Sequence, residues 1–194
     1  MQDKENLGSS KKMLVERLVA FFYQLHRQRN GGASVGAPRP VANSNDFRDC
    51  EIARLLEITV DPTMRVTFEL VPKGSNLKRG ELDASNTNPT EDIWRGLVMA
   101  KYNDFDGYLP PFRFPDNPTL KGFDPNSAQI RQRGPDILKS QYASLRTEFS
   151  VVHTKWSASG QNNPERWPKF IGGRMHLLYM FKVLEGDSAM LNMV

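Results

Sequence analysis

The stretch from Asp136 to Trp156 carries the side chains with the clearest binding chemistry in this sequence. Lysine and arginine can pair with an anion, and serine, threonine and glutamine can exchange hydrogen bonds with a ligand. Polar residues that lie around the rest of the helix surface in this stretch include Lys139, Ser140, Gln141, Arg146, Thr147, His153 and Lys155. A long helix with such a basic face is what a small DNA-reading domain requires. The same pattern is equally typical of a core helix with a solvated outer side.

Apolar residues in this stretch recur at steps of four, three, four, three and four, which is the period of one face of an α-helix. They are Leu138, Tyr142, Leu145, Phe149, Val152 and Trp156. We therefore predict one amphipathic helix of about 20 residues that buries this stripe.

Catalytic and metal-binding chemistry finds little support in the sequence. His26, His153 and His176 stand apart, there is no paired-histidine or CxxC spacing, and Cys50 has no catalytic signature beside it. His153 and His176 could approach each other between the last two helices, although two ordinary surface histidines are the more frequent arrangement. We predict that the protein is not an enzyme and uses no metal or cofactor.

Charge is distributed unevenly along the 194 residues. The net charge is +4, and residues 111–182 alone carry 11 Lys/Arg against 5 Asp/Glu. Such asymmetry favours an anionic partner, although an excess of this size also occurs on ordinary surfaces. No apolar run approaches the roughly 20 residues of a membrane span, so we expect no membrane partner. A single cysteine, Cys50, agrees with a reducing compartment, and we expect a nuclear location.

The first 87 residues divide into three predicted parts. Residues 1–30 hold an amphipathic helix, residues 31–45 are a glycine- and proline-containing flexible linker, and residues 46–87 hold a short helix and a β-hairpin. The short helix is predicted from Asp46 to Glu57. The strand signal is the two-residue alternation over Met64–Leu70, with a weaker second strand over Leu77–Leu82. The apolar stripe of the first helix is Leu14, Leu18, Phe21, Phe22 and Leu25.

Residues 88–184 are predicted to form a helical domain, followed by a tail over residues 185–194. Asn88 and Pro89 begin a helix that reaches about residue 103 and buries Trp94. Six prolines between Pro110 and Pro135 then leave room only for a short helix, predicted over Asn126–Arg131. A closing helix over Gly173–Leu184 is apolar over nearly its whole surface, so it completes the core.

This order of elements resembles the Myb/SANT-like family, especially its trihelix-type branch with a long third helix and an added fourth. The resemblance rests on EDIWRGLVMAKYNDF, on a short helix, on LKSQYASLRTEFSVVHTKW and on the closing helix. It covers residues 88–184, about half of the chain. It implies a mostly α fold, namely a Myb/SANT-like helical bundle of three helices plus a fourth. The chain departs from ordinary family repeats in its long proline-rich connection and in having only one such unit.

In that family the early part of the third helix enters the DNA major groove. The resemblance therefore implies that Lys139, Ser140, Gln141 and Arg146 lie on or near the reading face. It also implies that Arg131 and Arg133, just upstream, contact phosphates. These residue types suit the role, because arginine and lysine bind guanine edges or phosphates and glutamine can pair with adenine. Double-stranded DNA is then the expected partner, in a transcription- or transposon-associated protein.

A protein-interaction module of a nuclear complex is the alternative. In this interpretation the same helices bind an acidic tail, and the amphipathic stretch from Leu14 to Leu25 serves for docking or self-association. The two interpretations differ in one observable. Basic side chains that converge beside the N-terminal half of the long helix favour DNA, whereas scattered charges with an exposed apolar patch favour a protein.

Overall fold

The computed structural model describes Arg17 and residues 39–42, 46–70, 89–160 and 163–185. In these residues the protein is mostly helical, as predicted, and its β-structure is limited to one parallel bridge between Val41 and Gln132. The predicted first helix, most of the linker, the second strand and the tail after residue 185 lie outside the described residues. Among the helices that are described, none is both long and apolar enough to cross a membrane.

The helices are labelled in chain order. Helix α3 starts as an α-helix, continues as a π-helix and ends as an α-helix, and two short 3₁₀ turns flank α4. Their bounds are α1 Asp49–Thr59, α2 Pro62–Leu70, α3 Pro89–Asp92 with Ile93–Val98 and Met99–Asn103, α4 Pro135–Ala158, α5 Trp167–Phe170 and α6 Met175–Glu185, with 3₁₀ turns at Pro118–Leu120 and Pro164–Arg166.

Helix α1 lies at the centre of the molecule, and every residue from Cys50 to Thr59 is buried. One side of α1 packs through Ile52 and Leu56 in a core cluster with the middle of α4, with α5 and with α6. The other side packs through Leu55 and Ile58 against α3 and the start of α4. Residues 49–59 therefore share their core with the helices of residues 89–185.

The amphipathic helix predicted over residues 136–156 is confirmed as α4, which has 24 residues. It begins after Gly134 with Pro135 in the first turn, where the missing N–H of proline costs nothing. It ends before Gly160, which has a φ of 68° that glycine adopts without strain. Its buried residues belong to the predicted stripe, and Tyr142 is half-buried.

The strand predicted over Met64–Leu70 is wrong, because these residues form the helix α2. The side chain of Asp61 accepts a hydrogen bond from the Thr63 N–H at 2.9 Å, which caps the helix. Met64 and Thr67, three residues apart, are buried, whereas Val66 is 52% exposed. The buried residues of this segment therefore follow the spacing of a helix and not that of a strand. The capped helix start is a stronger signal here than the alternation of apolar and polar residues.

The short helix predicted over Asn126–Arg131 is also wrong, and the segment forms turns. Its carbonyl groups accept hydrogen bonds from distant arginines instead of from helical N–H groups. Arg39 donates to the carbonyls of Ser127 and Ile130, and Arg48 donates to that of Gln129. The backbone polar groups are satisfied in this way without a helix.

Helices α3 and α6 lie where the sequence predicts them. Trp94 and Tyr102 of α3 are buried, and so are Leu177 and Met180 of α6. In the proline-rich connection, Phe123 stacks on Tyr179 of α6 with ring centroids 5.1 Å apart. This contact holds the connection against the helical core.

Candidate nucleic-acid interface

The outer side of α4 is a strip of small side chains rather than a row of cations. Ser140, Ala143, Ser144 and Thr147 are exposed, at spacings of three and four residues that place them on one face. Small side chains leave the helix backbone accessible to a flat or grooved partner. The B-DNA major groove, about 12 Å wide, is one such surface.

Four of the six residues predicted to contact DNA lie within or beside this strip. Ser140 lies within it, and its sequence neighbours Lys139 and Gln141 are half-buried, about 100° to either side around the helix. Arg146 follows Lys139 by seven residues and therefore lies on the same side. Its guanidinium lies 5.8 Å from the ring of Tyr142. Lys139 makes no ion pair with any residue that the structure describes.

Arg95 of α3, which the sequence did not single out, places a cation beside the beginning of α4. Arg95 of α3 is exposed, and its Nη2 atom lies 3.9 Å from the carboxylate of Asp136. Both side chains are largely in water, so the pair contributes little to stability. Arg95 nevertheless places a positive charge beside the one acidic residue in the first turn of α4.

The other two predicted residues, Arg131 and Arg133, are engaged inside the protein. Nη2 of Arg133 lies 2.9 Å from Oε2 of Glu51, and both side chains are fully buried. Nη2 of Arg131 lies 2.8 Å from the same oxygen, and this side chain is 16% exposed. A phosphate contact by Arg133 would require its side chain to leave this cluster. Arg133 is therefore not among the predicted DNA-contacting residues that are accessible.

Other contacts complete the cluster around Glu51. The backbone N–H groups of Arg48 and Arg131 donate to its carboxylate at 2.9 and 3.1 Å, and the guanidinium of Arg133 lies 4.2 Å from the ring of Phe47. Burial alone would raise the pKa of Glu51, but the hydrogen bonds from Arg131 and Arg133 outweigh it and lower the pKa to about 2. The Glu51 carboxylate is therefore ionised at neutral pH.

Two further buried ionisable residues of α1, Arg54 and Glu57, bind the end of α3, the chain that follows it and α6. Arg54 donates to five backbone carbonyls, those of Lys101, Tyr102, Asp104, Tyr108 and Pro125, at 2.6–3.1 Å. Burial lowers its pKa to about 10, so it stays charged at neutral pH. Glu57 accepts hydrogen bonds from Arg113 at 2.7 Å and from Tyr179 at 2.8 Å. Burial raises the pKa of Glu57 more than these bonds lower it.

A signal for these charges was present in the sequence. Glu51 follows Phe47 by four residues and precedes Leu55 by four, so it falls on the apolar stripe of its helix. A carboxylate in such a position needs a cationic partner once the stripe is buried. The partners, Arg131 and Arg133, lie about 80 residues away in the sequence. Side-chain periodicity gives no information about contacts between residues so far apart.

The two histidines of the last helices contact different groups. His153 stacks on Phe149, with ring centroids 5.5 Å apart, whereas Nε2 of His176 lies 2.9 Å from the carboxylate of Glu148. Among the described residues, no three histidine, cysteine, aspartate or glutamate side chains are grouped so that they could hold a metal ion.

An open groove of about 760 Å³ runs beside α4 from Ala143 to Lys155. Its α4 wall includes Thr147, Val151 and Lys155, and its other wall includes Phe170 and Arg174. The groove overlaps the strip of small side chains at Ala143, Ser144 and Thr147, whereas Lys139 and Gln141 lie outside its lining.

No family model, curated protein or solved structure matches this chain.

Proposed function

We propose that the protein binds double-stranded DNA by placing the N-terminal half of α4 in the major groove. In this proposal residues 88–184 are a Myb/SANT-like domain of the trihelix type, and the protein works in the nucleus in a transcription- or transposon-associated role. Lys139, Ser140, Gln141 and Arg146 are the contacting residues. Arg95 takes the place of Arg131 and Arg133 as a cation at the edge of the interface.

The observation that carries the proposal is the accessible strip of α4 with Ser140 at its N-terminal end. Ser140 is exposed between the half-buried Lys139 and Gln141, and Ala143 and Thr147 continue the strip without bulky side chains. A helix of this shape can approach base edges closely, while flanking lysine and arginine side chains reach phosphates. The strip is continuous because α4 is unbroken over 24 residues.

The electrostatic part of the proposal rests on the cations that the fold leaves in water. Within the described chain Lys139 forms no ion pair, and Arg95 is exposed. Binding that neutralises phosphates with such side chains releases counterions and weakens as salt rises.

A fluorescence-anisotropy titration of the full chain with a labelled random-sequence duplex, at low and at moderate salt, tests the proposal. We expect saturable binding whose affinity falls steeply as salt rises, with a slope of about −0.9 for each phosphate contact on a log–log plot. Absence of binding at low salt, or an affinity that salt does not change, contradicts the proposal.

The second candidate function, a protein-interaction module, is favoured by a different observation. Val151 is 50% exposed within the groove beside α4, and a charged sugar–phosphate backbone offers little apolar surface with which to cover it. The two surfaces share Ala143, Ser144 and Thr147, so the variants that separate the two functions are placed at Lys139 and at Val151.

A further inference from the structure

The groove beside α4 combines an apolar floor with a cationic rim. Val151 and Val152 of α4 and Phe170 of α5 form the apolar part. Lys155, near the end of α4, provides a positive charge, and Arg174, just before α6, is paired with Glu148. A partner that fits this surface needs apolar side chains as well as negative charge.

The apolar part of the groove is accessible to a ligand. Val151 is 50% exposed, and its neighbours on the outer side of α4 are the exposed polar residues Thr147 and Thr154. Phe170 is half-buried, and its ring packs on Trp156 with centroids 5.0 Å apart. Because Trp156 is buried in the core, this aromatic wall is held in place. A preformed apolar surface binds a ligand without the cost of ordering it.

The one acidic residue of the lining, Glu148, is already neutralised. Its carboxylate lies 3.1 Å from Nη1 of Arg174 and 2.9 Å from Nε2 of His176. Lys155 has no ion pair in the described part of the chain. Lys155 therefore keeps its charge available to a ligand in the groove.

The surroundings reinforce the positive rim. The turn that joins α4 to α6 carries exposed Arg166 and Lys169, against a single exposed acid, Glu165. Lys169 directly precedes Phe170, so a cation and the aromatic wall of the groove are sequence neighbours. Complementary charge of this kind selects acidic partners and speeds their association.

We propose that this groove binds an acidic amphipathic peptide segment of a partner protein. Apolar side chains of the segment cover Val151 and Phe170, and its carboxylates pair with Lys155 and Lys169. A nucleic-acid backbone would satisfy the cations but leave the apolar floor in water, which is why a peptide fits better. The groove shares Ala143, Ser144 and Thr147 with the strip of the DNA proposal. Peptide binding does not require DNA binding, because Val151, Phe170 and Lys155 lie outside that strip.

Selection from a random peptide library displayed on phage, with peptides of about 12 residues or three helical turns, tests the proposal on the full chain. We expect enrichment of peptides that combine Asp or Glu with Leu, Ile, Phe or Trp. The most enriched peptide, synthesised with a fluorophore, is then titrated by anisotropy. Failure to enrich any sequence, or enrichment of basic peptides, overturns the proposal.

Variants locate the bound peptide. Val151→Asp is expected to weaken binding at least about tenfold, because it places a carboxylate in the apolar floor. Val66→Asp is its matched control, since Val66 of α2 is 52% exposed and lies outside the groove. Lys155→Glu is expected to weaken binding about tenfold and to flatten its salt dependence, whereas Lys121→Glu, on the surface away from the groove, has little effect.

Other outcomes identify a different occupant. If the two groove variants bind the selected peptide as the wild type does, the peptide sits elsewhere and the proposal fails. If Val151→Asp instead converts a dimer to a monomer in sedimentation velocity, the groove is a contact between copies of this chain. If Val151→Asp and Lys155→Glu weaken duplex binding more than Lys139→Ala does, the groove belongs to the DNA surface.

Discussion

Arg133 and Glu51 form a fully buried ion pair, with 2.9 Å between Nη2 and Oε2, that joins the segment before α4 to the central helix α1. Arg131 shares the same carboxylate at 2.8 Å, so two guanidinium groups surround one negative charge. The backbone carbonyl of Asp46 accepts a further hydrogen bond from Arg133 at 2.6 Å. The cluster therefore fixes where α4 begins relative to α1.

Arg133 should matter for stability rather than for binding. Arg133→Met removes one cation from the buried cluster and leaves its hydrogen-bond partners unsatisfied. We expect a loss of about 3 kcal/mol in the free energy of unfolding, measured by urea denaturation. Arg95→Met, which removes an exposed cation paired only at 3.9 Å, should cost less than about 0.5 kcal/mol. Equal stability of the two variants would refute the structural role of Arg133.

The cluster predicts how stability depends on acid pH. The pKa of Glu51 is lowered from an ordinary value of 4.5 to about 2 in the folded protein. The ionised carboxylate therefore contributes its full stability above about pH 4.5, and this contribution is lost as the pH falls toward 2. By linkage it is on the order of 3 kcal/mol.

Unfolding of the wild type and of Glu51→Gln, followed by circular dichroism between neutral and acid pH, measures this contribution. We expect the gap between their free energies of unfolding to narrow through that pH window, because protonation makes Glu51 resemble glutamine. Glu148→Gln is the control, since the Glu148 side chain is 36% exposed. A gap between wild type and Glu51→Gln that stays constant with pH would argue against ionisation of Glu51 in the folded state.

Arg54 should be the most costly single truncation in α1. Its guanidinium donates to five carbonyls, among them those of Lys101 and Tyr102 at the end of α3. Arg54→Met leaves these buried acceptors without donors, and we expect a loss of about 3–5 kcal/mol. Arg54→Lys keeps the positive charge but lacks the planar guanidinium with its five N–H donors. It should therefore recover only part of the stability that Arg54→Met loses. Thermal unfolding of both variants measures the difference, and recovery of full stability in Arg54→Lys would show that charge alone suffices.

Lys139 should affect DNA binding and leave stability unchanged. Lys139→Ala removes one phosphate contact, so the log–log slope of affinity against salt should decrease in magnitude by about 0.9. Lys121→Ala, a change of the same charge on the turn that follows the 3₁₀ helix Pro118–Leu120, is the matched control. Anisotropy titrations of both variants, alongside urea denaturation, make the comparison. An identical salt slope for Lys139→Ala and wild type would exclude Lys139 from the interface.

The elements that sequence reasoning placed correctly are those whose information is local. The stripe from Leu138 to Trp156 repeats with the helical period, and Pro135 and Gly160 mark its two ends within a few residues. Period and end signals both act over a single turn of helix, so neither needs knowledge of the rest of the chain. The same holds for α3 and α6.

The segment Met64–Leu70 shows where local information misleads. Its alternation of apolar and polar residues matches a strand, and its second apolar member, Val66, is exposed in the helix that forms. Asp61 and Pro62 supply a helix start that the prediction did not take into account. Nine residues are too few for periodicity to separate the two structures.

By itself the sequence determined a mostly helical protein, the extent of α4 and which side of it is buried, because these follow from side-chain spacing along one helix. Only the tertiary structure decided which cations remain in water. From the sequence, Arg131 and Arg133 were predicted to lie at the surface. In the fold both contact the buried carboxylate of Glu51, about 80 residues away in the sequence. A buried carboxylate takes the nearest guanidinium groups because an unpaired charge is costly away from water, and that proximity exists only in the folded chain.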